Sequence, residues 1–209
     1  FTNIKFLFGD NTNLKIKRNF SDITISQGVI HHTTDMFKSL DQVIRVTKKG
    51  GKILFLVYGD HGMRWSLIKK LRPISNIIGK KELIKIMKKN NFPTNNIKHF
   101  TDDLFVPIQL QIGINHLTEY LKKKKLKFKI WNKNNTLDQE QNIEKYLEEF
   151  FKLKKIFNSL KNKTLKVLSL KIINSYLDEI NIIKKSKMKR KEKRFLIIGE
   201  GNHRIEITK

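Results

Sequence analysis

Apolar and polar positions follow two different periods in the first sixty residues. Ile4 to Phe8 is a short apolar run closed by Gly9-Asp10, and it reads as a buried strand. Ile23 to Ile25 is the middle of a second run, framed by Asp22 and Gly28. Between Met36 and Val46 the apolar positions 37, 40, 43 and 44 fall at helical spacing. Thr34 or Asp35 is placed to cap that helix. Gly50-Gly51 reads as its stop, and Lys52 to Tyr58 (KILFLVY) is a nearly continuous apolar strand. Apolar strands separated by a helix predict a parallel α/β sheet covered on both faces. Ligands of such sheets bind beyond the carboxyl ends of the strands. That rule singles out residues 9–11, 26–32 and 58–61.

Further along, Trp65 to Leu71 and Lys81 to Asn90 read as short basic helices. The stretch from Asn91 to Pro107 reads as a loop, with Pro93 and Pro107 as breakers. Asn115 to Lys125 is helical and ends in four lysines, which suit a helix C-terminus. Lys127 to Trp131 alternates like a strand. Ile143, Tyr146, Leu147, Phe150 and Phe151 then share one helical face. Leu165, Leu168, Ile172, Ile173, Tyr176, Leu177 and Ile180 share another, so two amphipathic helices are expected, broken near Asn162. Phe195 to Ile198 reads as a strand, followed by a Gly-Glu-Gly-Asn turn and an alternating Ile205-Glu206-Ile207.

Composition narrows the picture. The chain has 209 residues, a net charge of +25 and no cysteine. The missing thiols exclude a disulfide scaffold, a zinc finger, an iron–sulfur site and a thiol nucleophile. No apolar run approaches the length of a membrane span, and the cytoplasm is the expected location. The charge comes from 37 Lys and only 7 Arg, alongside 29 Ile, 19 Asn and no Ala. Lys, Asn and Ile have A/T-rich codons, so part of the charge is compositional. Nucleic-acid readers lean on Arg, which contacts phosphate and guanine in bidentate fashion. Eight of the eleven residues from Lys184 to Arg194 are basic, which offers a contact for RNA phosphates or an anionic membrane surface.

The segments GDNTNL (9–14), SDITISQGVIHHTTD (21–35) and FKSLDQVIRVTKKGGKILFLVYG (37–59) carry a further signal in their order and spacing. Together they resemble the class I S-adenosylmethionine-dependent methyltransferases, nearest the group that holds the ubiquinone and menaquinone biosynthesis enzymes. The resemblance implies a Rossmann-like methyltransferase sheet and S-adenosylmethionine as cofactor. It places Asp10 at the adenine amine and Asn11 beside a ring nitrogen. Ser26 and Gln27 would hold the methionine ammonium through their carbonyls, and Gly28 would let the backbone approach the ligand. A plainer reading has Asp10 start a turn and Gly28 bend the chain.

His31, His32 and Tyr58 fall near the methyl-transfer end of the implied pocket. One histidine would orient the acceptor or act as general base. The alternative is that the histidines cap the next helix or pack on the loop, and that Tyr58 is core. Neighbouring histidines on an extended segment point to opposite sides, and no metal site is expected. His61, Arg64 and Trp65 are candidates for the acceptor side, against a plain surface-helix role.

The glycine-rich loop and the ribose-binding carboxylate of that family belong upstream of Asp10. Only the later strands of the sheet are therefore expected here, with a helical insertion before the last strand. The expected partition is a methyltransferase-like part over 1–132, a basic helical insertion over 133–193, and a last strand or hairpin over 194–209. Phe195 to Ile198 would be the antiparallel last strand, beside Phe128 to Trp131. The Gly199-Glu200-Gly201 triplet lacks the following helix that a cofactor loop needs. The expected function is methyl transfer to a small-molecule acceptor, with an inactive and aggregation-prone isolated fragment. The alternatives are an RNA methyltransferase and a non-catalytic binding module on the same scaffold.

Overall fold

The computed structural model describes residues 3–131 and 143–209. It is an α/β protein whose described residues divide into two compact units. One unit comprises residues 3–59, 108–131 and 202–209, and the other 60–107 and 143–201. The helical unit thus includes 60–107 as well as the stretch expected as an insertion. The expected boundary at 132–133 lies outside the described residues.

The first unit is built on a four-stranded sheet. Its strands are β1 (Ser21–Gln27), β2 (Thr47–Tyr58), β3 (Lys127–Ile130) and β4 (Asn202–Thr208), in the order β1-β2-β4-β3. β1 and β2 are parallel, while β4 runs antiparallel to both β2 and β3. The antiparallel last strand does lie beside Phe128, which pairs with Ile207. That strand is 202–208, however, and not Phe195 to Ile198. The latter four residues end a helix in which Ile197 and Ile198 are buried. Four apolar residues in a row suit a buried helix end as well as a strand, and periodicity alone does not separate the two.

Helix α1 (Met36–Val46) starts where the Asp35 carboxylate accepts from the Lys38 N–H at 2.8 Å. It ends at Val46, before the glycine pair. Gly50-Gly51 has another task. Pairing of β1 with β2 steps from Ser21–Thr47 to Ile23–Lys52, so β2 accommodates extra residues between them. Gly50 adopts φ +75°, and a Cβ on Gly51 would lie 2.8 Å from the Asp22 carbonyl oxygen. The pair makes a bulge in β2 that only residues without a side chain fit.

α1 and α5 (Ile114–Lys123) contribute Leu40, Val43, Leu117 and Leu121 to one core. Their partners are Ile53, Phe55 and Val57 of β2 with Ile205 and Ile207 of β4. Residues of one parity on each strand therefore face this core. The other parity is not covered as expected. Ile23 and Ile25 remain 62% and 63% exposed, and β1 is an edge strand. Residues 4–8 are also no strand, and Phe6 and Phe8 are exposed. An apolar run becomes a strand only where a neighbour supplies hydrogen bonds, and none among the described residues pairs with it.

The helical unit comprises α2 (Met63–Ile78), α3 (Lys80–Lys89), α4 (Thr94–Phe105), α6 (Ile143–Asn158), α7 (Lys163–Lys185) and α8 (Arg190–Ile198). Its core gathers Leu67, Leu71, Met87, Phe100, Phe150 and Ile173. The expected loop over 91–107 is α4. Pro93 immediately precedes its first turn and Pro107 follows its end, so the prolines bracket a helix. Asn162 separates α6 from α7 and caps the latter, its side chain accepting from Leu165 N–H at 3.0 Å. Phe151 and Leu168, expected on the apolar faces, are exposed instead.

Candidate functional site

The carboxyl ends of the parallel pair β1 and β2 carry the densest group of expected site residues. β1 ends at Gln27, and Gly28 donates its N–H to the Leu56 carbonyl at 3.0 Å. Gly28 adopts φ +67°, a left-handed turn that ends the strand. The chain then enters a 3₁₀ turn over Ile30–His32. The two histidines are thus not extended, and they do not point apart. Their rings lie 4.2 Å apart, and the His31 ring is 4.0 Å from that of Tyr58. The helical turn, rather than strand alternation, brings the neighbours together.

A second segment, residues 108–112, closes this end of the sheet. Leu110 N–H donates to the His31 carbonyl at 2.8 Å, and Ile112 N–H to the Tyr58 carbonyl at 3.1 Å. His203 on β4 meets the Ile112 carbonyl at 2.9 Å. His32 Nδ1 lies 2.8 Å from the Ile108 carbonyl oxygen. A carbonyl only accepts, so Nδ1 carries the proton. With Nδ1 donating, Nε2 is the nitrogen left to face a ligand. Nothing in the sequence singled out 108–112, because its contacts are made by backbone atoms.

Two polar groups in this region stand out. His31 is fully buried, and among the described residues neither ring nitrogen has a hydrogen-bond partner. Burial, with the nearby His32 adding to it, lowers its pKa to about 4. The ring is therefore neutral near pH 7. Ser26 Oγ is also buried and, among the described residues, unpartnered. Orphaned buried donors and acceptors cost about 1–3 kcal/mol each unless something satisfies them. A polar ligand reaching the end of β1 would do so. Gln27 is exposed and Gly28 half-buried.

Asp10 is held in a turn of its own. Its Oδ1 accepts from Thr12 N–H at 2.7 Å and Thr12 Oγ1 at 2.9 Å, which keeps its carboxyl below the usual range. Asn13 N–H donates to the Asp10 carbonyl at 2.9 Å. Neither bond uses Oδ2, and no described residue bonds to it. No hydrogen bond joins Asp10 to Ser26, Gln27 or Gly28, and Asn11 is half-buried beside it.

The acceptor-side candidates belong to the helical unit and have other work there. Arg64 is buried, donating from Nε to Glu149 and from Nη2 to Asp103, each at 2.5 Å. Its guanidinium lies 4.3 Å from the Trp65 ring, and His99 Nε2 is 2.7 Å from Nη2. Burial opposes the charge of Arg64, but Asp103 and Glu149 outweigh it and raise its pKa. Burial likewise pushes Glu149 up, yet His99 and Arg64 bring it down to about 2. The cluster ties α2, α4 and α6 together, with Nε and Nη2 of Arg64 committed to Glu149, Asp103 and His99. His61 is exposed, its ring 5.1 Å from Phe195.

The lone Gly-x-Gly is a helix stop. Gly199 caps α8 at φ +78°, and a Cβ there would lie 2.4 Å from the His61 carbonyl oxygen. Gly62 is packed as tightly against Ile198 from the other side. Among the described residues no group of three or more His, Asp or Glu could hold a metal ion, and no helix is long and apolar enough to cross a membrane.

Residues 1–55 match the model of a family described as a methyltransferase domain. No curated protein sequence matches the chain. Among solved structures, a SAM-dependent methyltransferase of Thermotoga maritima is 17% identical, covers 59% of this chain and 47% of its own, and has a TM-score of 0.40. The YcgJ protein of a Bacillus species is 13% identical over 99% of this chain and 71% of its own, with a TM-score of 0.46. Phosphoethanolamine N-methyltransferase 2 of Haemonchus contortus, in complex with phosphomonomethylethanolamine and S-adenosylhomocysteine, is 16% identical. It covers 95% of this chain and 35% of its own, with a TM-score of 0.39. This chain thus spans about half the length of the Thermotoga structure and a third of the Haemonchus one.

Proposed function

We propose that this chain serves S-adenosylmethionine-dependent methyl transfer to a small-molecule acceptor, as in the ubiquinone and menaquinone group. The observation that carries the reading is the pair of orphaned polar groups, Ser26 Oγ and the His31 ring, at the carboxyl end of β1. The family match over residues 1–55 supports it. When bound, the cofactor supplies an electrophilic methyl group on a sulfonium. Ser26, Gln27 and Gly28 hold its methionine end, and Asp10 Oδ2 accepts from the adenine amine with Asn11 beside it. His32, oriented by Ile108, takes the proton that the acceptor N–H or O–H gives up as its bond to carbon forms. His31 stays neutral and, with Tyr58, forms the wall on which His32 rests. Most of the rate comes from alignment of acceptor and methyl group.

A second reading, a non-catalytic binding module, draws on the Gly-x-Gly being a helix stop rather than a cofactor loop. RNA as acceptor draws only on net charge. Ultraviolet cross-linking of methyl-tritiated S-adenosylmethionine to the complete protein separates these readings. Label is expected in the peptide 21–35 and is lost with excess S-adenosylhomocysteine. Absence of label there favours the binding module.

A further inference from the structure

We propose that the α7–α8 corner of the helical unit docks on an anionic lipid surface. The inference is independent of methyl transfer. It starts from a coincidence of two features at one place. Met188, Phe195 and Leu196 are 45%, 44% and 41% exposed, and Ile182 is 70% exposed. All four line one open groove of about 570 Å³, together with His61, Met63 and Tyr176. The same corner is spanned by the segment Lys184 to Arg194, with eight cations and Glu192 as the lone acid.

The arrangement follows from the helix period. On α8, Ile197 and Ile198 turn into the core. Positions 191, 192, 195 and 196 are exposed, and with Met188 they continue one stripe at spacings of three and four. Lys191 and Glu192 flank the apolar side chains on that stripe and line an adjoining recess with them. Lys184 is engaged with Glu144 at 2.7 Å, and Lys193 with the Lys184 carbonyl at 2.6 Å. Those two lysines fasten the corner to its own helices. Lys185, Lys187, Lys189 and Lys191 are exposed around it.

This chemistry fits a lipid surface better than a nucleic acid. Interfacial helices pair Lys or Arg with exposed Phe, Leu or Met that enter the headgroup layer. Lysines near such a surface are drawn by its negative potential, whatever the headgroup geometry. Single-stranded nucleic acids call for stacked aromatic platforms and guanidinium. Here three of the four exposed apolar side chains, Ile182, Met188 and Leu196, are not aromatic, Tyr176 is buried, and six of the eight cations are lysine. Codon bias accounts for abundant lysine, but not for gathering it around exposed apolar side chains.

Vesicle flotation of the whole chain tests this, because aggregates do not float. The chain is expected to rise with phosphatidylglycerol–phosphatidylcholine vesicles and to stay behind with phosphatidylcholine alone. The triple variant Met188→Ser/Phe195→Ser/Leu196→Ser and the pair Lys187→Glu/Lys191→Glu are each expected to reduce flotation about tenfold. Phe195→Trp, which leaves the patch intact, is expected to give a blue-shifted emission on adding the anionic vesicles. Unchanged flotation of the triple variant, or no spectral shift, overturns the proposal. So does polyuridylate binding that is as tight as vesicle binding and insensitive to the apolar substitutions, which marks an RNA surface.

Discussion

His32 donates from Nδ1 to the carbonyl oxygen of Ile108 across 2.8 Å, although 76 positions separate them in the chain. That bond fixes the tautomer and aims Nε2 away from the segment that holds the ring. In the proposed reaction Nε2 receives the acceptor's proton. His32→Gln keeps an amide near the Ile108 carbonyl but removes the base. Turnover is expected to fall about a hundredfold or more, with S-adenosylmethionine affinity unchanged. Release of S-adenosylhomocysteine over a panel of amine and hydroxyl acceptors, beside calorimetric affinities, reads the split. An equal loss of affinity in the variant contradicts the role.

His31 gives a pH dependence with a definite sign. Its folded pKa of about 4 lies below the ordinary histidine value of 6.5. The unfolded chain therefore binds the proton first, and stability rises with pH across that window. The contribution is full above pH 6.5 and lost as pH falls to about 4. Allowing for screening from the half-exposed neighbour, the loss amounts to about 2 kcal/mol. Urea midpoints of wild type should drop between pH 7 and pH 5, and those of His31→Phe should drop less. A steeper loss in the variant would show that another group titrates.

The Arg64 cluster is expected to hold the helical unit together. Arg64→Ala removes the guanidinium from Asp103 and Glu149 and leaves His99 as their neighbouring cation. The cost is about 3–5 kcal/mol, read as a lower urea midpoint. Glu149, held near 2 against its ordinary 4.5, stabilises the fold above pH 4.5 and loses that effect as pH falls toward 2. Glu149→Gln should flatten the acid limb of the stability curve. An Arg64→Ala variant as stable as wild type would show the cluster to be ornamental.

The edge strand β1 invites pairing with another chain, since Ile23 and Ile25 are exposed on it. Ile25→Lys is expected to reduce self-association in sedimentation velocity without lowering the thermal midpoint. If the variant associates as wild type does, the edge is not the contact.

How much of this was legible follows from the kind of signal each part uses. The 37, 40, 43 and 44 spacing gave α1, and the Lys52–Tyr58 run gave β2, because both bury one continuous surface. The same signal misled at 4–8 and 195–198. There, whether an apolar run is strand, helix or exposed depends on a neighbour distant in sequence. Pro93 and Pro107 read as breakers, although a proline directly before a helix is compatible with the helix starting there. Within the site, Gly28, His31, His32 and Tyr58 were marked by motif and position. The Ile108 carbonyl that orients His32 was not, since every residue has a carbonyl. Arg64 reads as a site candidate because a sequence does not reveal that Asp103 and Glu149 pair with it.

The most direct measurement is calorimetric titration of S-adenosylmethionine into the complete protein carrying this chain, as wild type and as Asp10→Ala. Asp10 is exposed, and among the described residues its hydrogen bonds are those of its own turn, so the variant is expected to fold. Loss of a hydrogen bond between a carboxylate and the adenine amine predicts saturable binding in wild type and affinity weakened about tenfold in the variant. Well-folded wild type with no saturable heat, or equal affinity in the two proteins, would contradict the account.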